Sequence, residues 1–270
     1  MPTISIITAV VAGRDHYLRE AYESLCSQVM PHGWQWEWLV QEDGETGRPL
    51  SELPLDQRIS SGQNRAGRAA LTRTMALERA SGLLIRTLDA DDVLPDGALW
   101  QDITTLMEHP ESAWCVSGAL DLFEDGTLVQ GPYDPPPGPL PRGLLAEGET
   151  SGQLQVVGTT MCTYTSLVRA LGGWQALPAS EDVALMLAAE AVSDGYMCPN
   201  IGLHYRQWPG SSTEDAEYAE EAESAARRNA LLQRVSALRE SGWRWCPPGA
   251  NTPAGGSPTR GGSTKDSLPT

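Results

Sequence analysis

The chain has 270 residues, 40% of them hydrophobic, and a formal net charge of −16. That content suits one large domain or two small ones, and the charge disfavours nucleic acid and anionic membrane surfaces, which would repel it over a Debye length. Lys265 is the single lysine, so a phosphate group must be met by arginine, a metal ion or backbone N–H groups.

Thr3 to Val11 is β-branched and apolar and reads as a buried strand. No basic segment precedes it, and Arg14, Asp15 and His16 interrupt it early, which argues against a secretory signal. A Gly13 loop leads to Tyr17–Val29, where Leu18, Ala21, Tyr22 and Leu25 fall at helical spacing. Trp36 to Gln41 is a second apolar strand, ending in Glu42-Asp43-Gly44. Gly67 to Ala80 reads as a helix stopped by Ser81-Gly82. Leu84 to Leu88 is then a strand that empties into Asp89-Ala90-Asp91-Asp92. The βαβ…αβ order predicts an α/β fold with a mostly parallel sheet flanked by helices, its loops gathered at one edge. Ligands of open α/β sheets collect at the carboxyl ends of the strands, so Asp43 and Asp89 are expected to share that edge. Carboxylates one residue apart suit a hard cation such as Mg²⁺ or Mn²⁺, although in a chain with 35 acidic residues such a match alone can arise by chance as an acidic turn.

Leu99 to Met107 reads as helix and Trp114 to Leu122 as strand, before the Asp134–Pro139 run breaks regular structure. Val156 to Thr165 is expected as a polar strand, Leu167 to Leu171 as a short helix closed by Gly172-Gly173, and Asp182 to Val192 as a helix. Glu181 and Asp182 stand at its start, where a carboxylate can serve simply as a cap. Glu214 to Arg239 reads as a long charged helix, and from Pro247 the composition predicts a disordered tail. The expected domains are 1–212, a helical extension over 213–246 and the tail over 247–270. Cys26, Cys115, Cys162, Cys198 and Cys246 include no C-x-x-C pair, which points to a reducing cytoplasm and not to disulfides or zinc. No stretch approaches the ~18 apolar residues of a membrane-spanning helix, so a soluble protein is expected.

Four ordered segments resemble the family 2 glycosyltransferases of GT-A fold. They are Pro2–Ile7 with Leu25-Cys26-Ser27-Gln28; Glu42-Asp43-Gly44; Asn64–Gly82 leading to Asp89-Ala90-Asp91-Asp92; and Gly172-Gly173-Trp174 followed by Ser180-Glu181-Asp182. His204-Tyr205-Arg206 with Pro209-Gly210-Ser211 is similar to the family's terminal stretch, with Trp208 in place of a frequent histidine. Ala9-Val10-Val11-Ala12-Gly13 stands where relatives carry a Tyr-Asn pair, leaving Ala9 only backbone contacts to offer.

The resemblance implies a metal-dependent inverting glycosyltransferase that takes a nucleoside diphosphate-sugar as donor and a hydroxyl group as acceptor. It implies Ala9, Asp43, Arg73 and Asp89 toward the donor, Asp91 and His204 toward Mn²⁺ or Mg²⁺, and Asp182, with Glu181 as its competitor, as general base. A non-catalytic nucleotide-sugar-binding protein is the main alternative. A phosphatase using the Asp89-Ala90-Asp91-Asp92-Val93 pattern is another, opposed by the missing core lysine and by the two strands that precede it.

Overall fold

The computed structural model describes residues 1–131, 134–208 and 220–249. β1 (Thr3–Val10) is apolar on both faces because both are covered, as in a central parallel strand. Helix α1 (Leu18–Cys26) follows, then β2 (Gln35–Asp43), which lies parallel to β1. A short α2 (Arg48–Ser51) leads to β3 (Ile59–Asn64), parallel to β2 at the sheet edge. Helix α3 (Arg68–Leu77) returns the chain to β4 (Leu84–Thr87), which is parallel to β1 on its other side.

The second half adds α4 (Ala98–Glu108), β5 (Ser112–Leu122), β6 (Leu128–Gln130), β7 (Gly138–Pro139) and α5 (Leu144–Ser151). It closes with β8 (Cys162–Tyr164), α6 (Thr165–Ala170), α7 (Glu181–Val192), β9 (Asp194–Arg206) and α8 (Glu221–Glu240). Nine strands form one sheet in the order β3-β2-β1-β4-β8-β5-β9-β7, with β6 paired to β5. The long ladders, β1 with its neighbours and β5 with β9, are parallel, and the short strands β6, β7 and β8 run antiparallel.

Trp38 and Trp114 are fully buried in the core. Trp38 satisfies its indole by donating to Thr8 Oγ1 at 2.8 Å. Arg86 is also fully buried; it pairs with Asp102 and donates to the Gly202 carbonyl at 2.6 Å, tying β4 to α4 and β9. Leu231 and Val235 of α8 are buried, and Trp245 N–H beyond that helix donates to the Val192 carbonyl at 2.9 Å. No described helix is long and apolar enough to cross a membrane.

The strand expected over Val156–Thr165 is shorter than predicted. Gly158–Thr160 is a 3-10 turn in which Thr160 closes back on the Val157 carbonyl with both its N–H (3.0 Å) and its hydroxyl (2.7 Å), leaving only Cys162–Tyr164 extended. β3 escaped prediction because it is a polar edge strand, and β9 because Pro199, Gly202 and register shifts against β5 mask its pattern. The expected start of the last helix at Glu214 and the tail from residue 250 lie outside the described residues.

Candidate active site

Parallel pairing carries the ends of β1, β2 and β4 to the same sheet edge, where they open into a cleft of about 330 Å³. Ala9, Asp43, Arg73, Asp89, Asp91, Glu181 and Asp182 all line it, though they come from distant parts of the chain. Among the expected site residues His204 alone does not line it, while its neighbours Tyr205 and Arg206 do. His204 instead bonds Val93 through both backbone groups, and burial lowers its imidazole pKa.

At the end of β2 the two-residue period of a strand separates adjacent acids. Glu42 is fully buried and accepts from Thr46 N–H (2.9 Å), Thr46 Oγ1 (2.6 Å) and Gly47 N–H (2.7 Å), holding the following loop. Asp43 faces the cleft and accepts from the N–H groups of Gly67 (2.7 Å) and Arg68 (3.0 Å) at the start of α3. Arg68 and Ser180 are the non-glycine residues with positive φ among those described, 65° and 61°, and both line the cleft. The Arg68 guanidinium also reaches the Pro178 carbonyl at 3.4 Å, spanning from α3 to the approach of α7.

Asp89 to Asp92 form a tight turn closed by Asp92 N–H on the Asp89 carbonyl at 3.2 Å. Asp91 is half-buried, and burial together with the neighbouring Asp89 charge raises its pKa above the usual carboxylate range. Asp92 is buried; its Oδ1 accepts from Arg206 N–H at 2.9 Å, while its Oδ2 has no partner. Burial, then Asp89 and Asp91, push its pKa well up. Crowded hard oxygen donors, with Asp92 Oδ2 unsatisfied and Asp91 lining the cleft, are a donor set that fits a hard divalent cation. Asp102, Cys115 and Cys198 also stand close enough to share an ion, but they are core residues away from the cleft, and Asp102 is already neutralised by Arg86.

Arg73 is the hinge between the two sides of the cleft. Burial opposes its charge, yet one guanidinium arm pairs with Asp89 and the other with Glu181, and these acids keep it firmly protonated. Both arms are therefore taken up by carboxylates, whereas the resemblance implied Arg73 toward the donor. Sequence reasoning missed this clamp because its partners are far away along the chain.

The same contact separates Glu181 from Asp182. Glu181 is buried on Arg73, whereas Asp182, one residue on, is half-buried in the cleft wall. Burial, then the Glu181 charge, raises the Asp182 pKa to about 6, with Arg73 opposing. Ser180 precedes α7 without capping it through its side chain, and the Asp182 carboxylate accepts from the Val183 N–H in the first turn of the helix. Gly158 packs directly under Asp182: a Cβ there would stand 2.6 Å from Asp182 Oδ2. This glycine, Tyr205, Arg206 and Trp208 were not singled out as site residues from sequence; the resemblance gave only the segment that holds the last three.

A mostly parallel α/β sheet with acids from two strand ends facing a helix-borne carboxylate defines the GT-A architecture. No family model matches the chain. It is 31% identical over 132 residues to TuaG of Bacillus subtilis (strain 168), named as a teichuronic acid biosynthesis glycosyltransferase, a match over 47% of this chain and 50% of that protein. It is 28% identical over 136 residues to the O-antigen biosynthesis protein RfbC of Myxococcus xanthus, over 48% of this chain and 10% of that one. The matched region thus spans half of TuaG and a small part of RfbC. Among solved structures, Staphylococcus aureus TarS 1–349 in complex with UDP-GlcNAc superposes with a TM-score of 0.62 at 16% identity, over 90% of this chain and 74% of that one. TarS 1–349 in complex with UDP gives 0.61 at 16% identity, over 87% and 65%. The resemblance to the family 2 glycosyltransferases of GT-A fold therefore holds in sequence and in fold.

Proposed function

We propose that the protein is an inverting, metal-dependent glycosyltransferase that moves a sugar from a nucleoside diphosphate-sugar to a hydroxyl acceptor, a small molecule or a cell-envelope precursor. One observation carries the reading: Asp182, with its pKa raised to about 6, shares a cleft with the Asp89–Asp92 turn, and Arg73 ties the two sides together. The name of TuaG supports glycosyl transfer, and the UDP and UDP-GlcNAc complexes of TarS support a nucleotide-sugar as donor.

In this reading Ala9 and Asp43 border the nucleoside and Asp89 the ribose, while Asp182 takes the proton of the attacking hydroxyl. A carboxylate raised toward neutral pH is a stronger base yet still largely ionised, and such proton transfer contributes about 10²–10⁴ in rate. Attack from the face opposite the leaving diphosphate inverts the anomeric carbon. Mn²⁺ or Mg²⁺ held by Asp91 would offset the charge of the diphosphate as a Lewis acid. Arg73 organises Asp89 and Glu181, leaving phosphate contact to residues such as Arg14 at the cleft rim. The Asp89–Arg73 pair counts against Asp89 as a phosphatase nucleophile. Five free cysteines suit the cytoplasm.

The test is a binding screen of UDP-, GDP- and dTDP-sugars with and without Mn²⁺. A specific ligand raises the melting temperature by mass action. A manganese-dependent shift with one nucleotide is the expected result, and no shift with any of them would overturn the reading.

A further inference from the structure

Trp208 follows β9 by two residues, and its indole N–H donates to Asp91 Oδ2 at 2.9 Å. The indole is held on its other sides as well. The Arg14 guanidinium stands 5.1 Å from its ring centroid, and the Tyr17 ring lies 5.8 Å away. Tyr17 in turn sits 4.7 Å from the Arg206 guanidinium. Arg206 reaches back to the same acidic turn, with Nε on the Asp91 carbonyl at 2.6 Å and its N–H on Asp92 Oδ1 at 2.9 Å. The loop after β1 and the end of β9 therefore converge on the acidic turn, and Trp208 is their contact to the Asp91 carboxylate.

An indole N–H donates a hydrogen bond but offers no lone pair to a cation. At this corner the chain gives the carboxylate a hydrogen bond, and neither nearby imidazole, His204 or the His16 that packs on Tyr17, lines the cleft. Resting on the glycosyltransferase reading, we propose that Trp208 is a positioning residue of the donor site, fixing Asp91 by one oxygen so that the other is presented to a cation bound with the donor diphosphate. The protein's ligands to that cation are then oxygens, a set that selects Mg²⁺ or Mn²⁺ over zinc. With few protein ligands, such an ion binds weakly until phosphate oxygens complete its shell.

Trp208→Phe keeps an aromatic ring against Arg14 and Tyr17 and removes the donor. Titrating UDP calorimetrically with Mn²⁺ and with EDTA separates the metal-dependent part of its affinity from the rest. The metal-dependent gain falls about tenfold or more in the variant, since bonds to charged groups are the stronger ones, while metal-free affinity stays within about twofold. An unchanged or larger gain overturns the proposal. A second measurement needs neither nucleotide nor a folded Trp208 variant. In ¹⁵N-tryptophan-labelled protein, Asp91→Asn shifts one indole N–H resonance strongly if the contact exists, and no shifted indole resonance overturns the proposal. Absence of UDP, GDP and dTDP binding by the unaltered protein would sink the glycosyltransferase reading while the indole spectrum still decides the Trp208–Asp91 contact.

Discussion

The guanidinium of Arg73 and the carboxylate of Glu181, 108 positions apart in sequence, form a buried ion pair that joins α3 to the start of α7. The other arm of Arg73 holds Asp89, so one side chain sets the relative placement of the acidic turn and the helix that carries Asp182. Removing one member of a buried set leaves the others charged and unpaired, at a cost of about 3–5 kcal/mol. Arg73→Ala is therefore expected to lose about that much stability in urea unfolding. Arg73→Lys recovers only part of it, because one ammonium cannot fork to two carboxylates.

Asp182→Asn removes the base but keeps the shape. Turnover drops by about 10²–10⁴ while UDP-sugar affinity stays near its original value. Glu181→Gln gives the contrasting pattern, lowering stability through the lost Arg73 pair. If Glu181→Gln alone abolished turnover in a fully folded protein, the base assignment would move to Glu181.

The pH dependence follows from the same group. A base must be ionised, so turnover rises as pH passes through about 6 and levels off above it. Stability changes the other way. A carboxyl raised in the folded state from 3.8 to about 6 contributes stability that is fully present below 3.8 and lost as pH rises through about 6. Asp182→Asn lacks this titration, so its stability relative to the unaltered protein improves across that interval. Thermal melts of both proteins over the range measure it.

Gly158→Ala tests the packing beneath the base. A Cβ there would lie 2.6 Å from Asp182 Oδ2 and 2.9 Å from Val183 N, so the carboxylate must move. Displacement of a catalytic group by about 1 Å can cost up to 10²-fold, and kcat is expected to fall about 10–100-fold with donor affinity unchanged. Unaltered kcat would show that Asp182 tolerates displacement and is not the base.

The strands β1, β2, β4 and β5, the helices α1, α3, α4 and α7, the acids at the ends of β2 and β4 and the acid pair at the start of α7 were legible in the sequence. These are local signals: apolar runs, helical spacing and glycine stops depend on neighbours a few residues away. Edge strand β3 and the bulged β9 were not legible, since a polar rim strand and an interrupted ladder carry no clean period. Tertiary structure alone decided what each acid of a pair meets. On a helix one residue turns the side chain by about 100°, so Glu181 meets Arg73 and Asp182 the cleft. On a strand one residue turns it to the other face, so Glu42 is buried and Asp43 open. Only the fold could bring Trp208 to Asp91, 117 positions away, because no local pattern encodes a contact between chain segments that meet only when the sheet is complete.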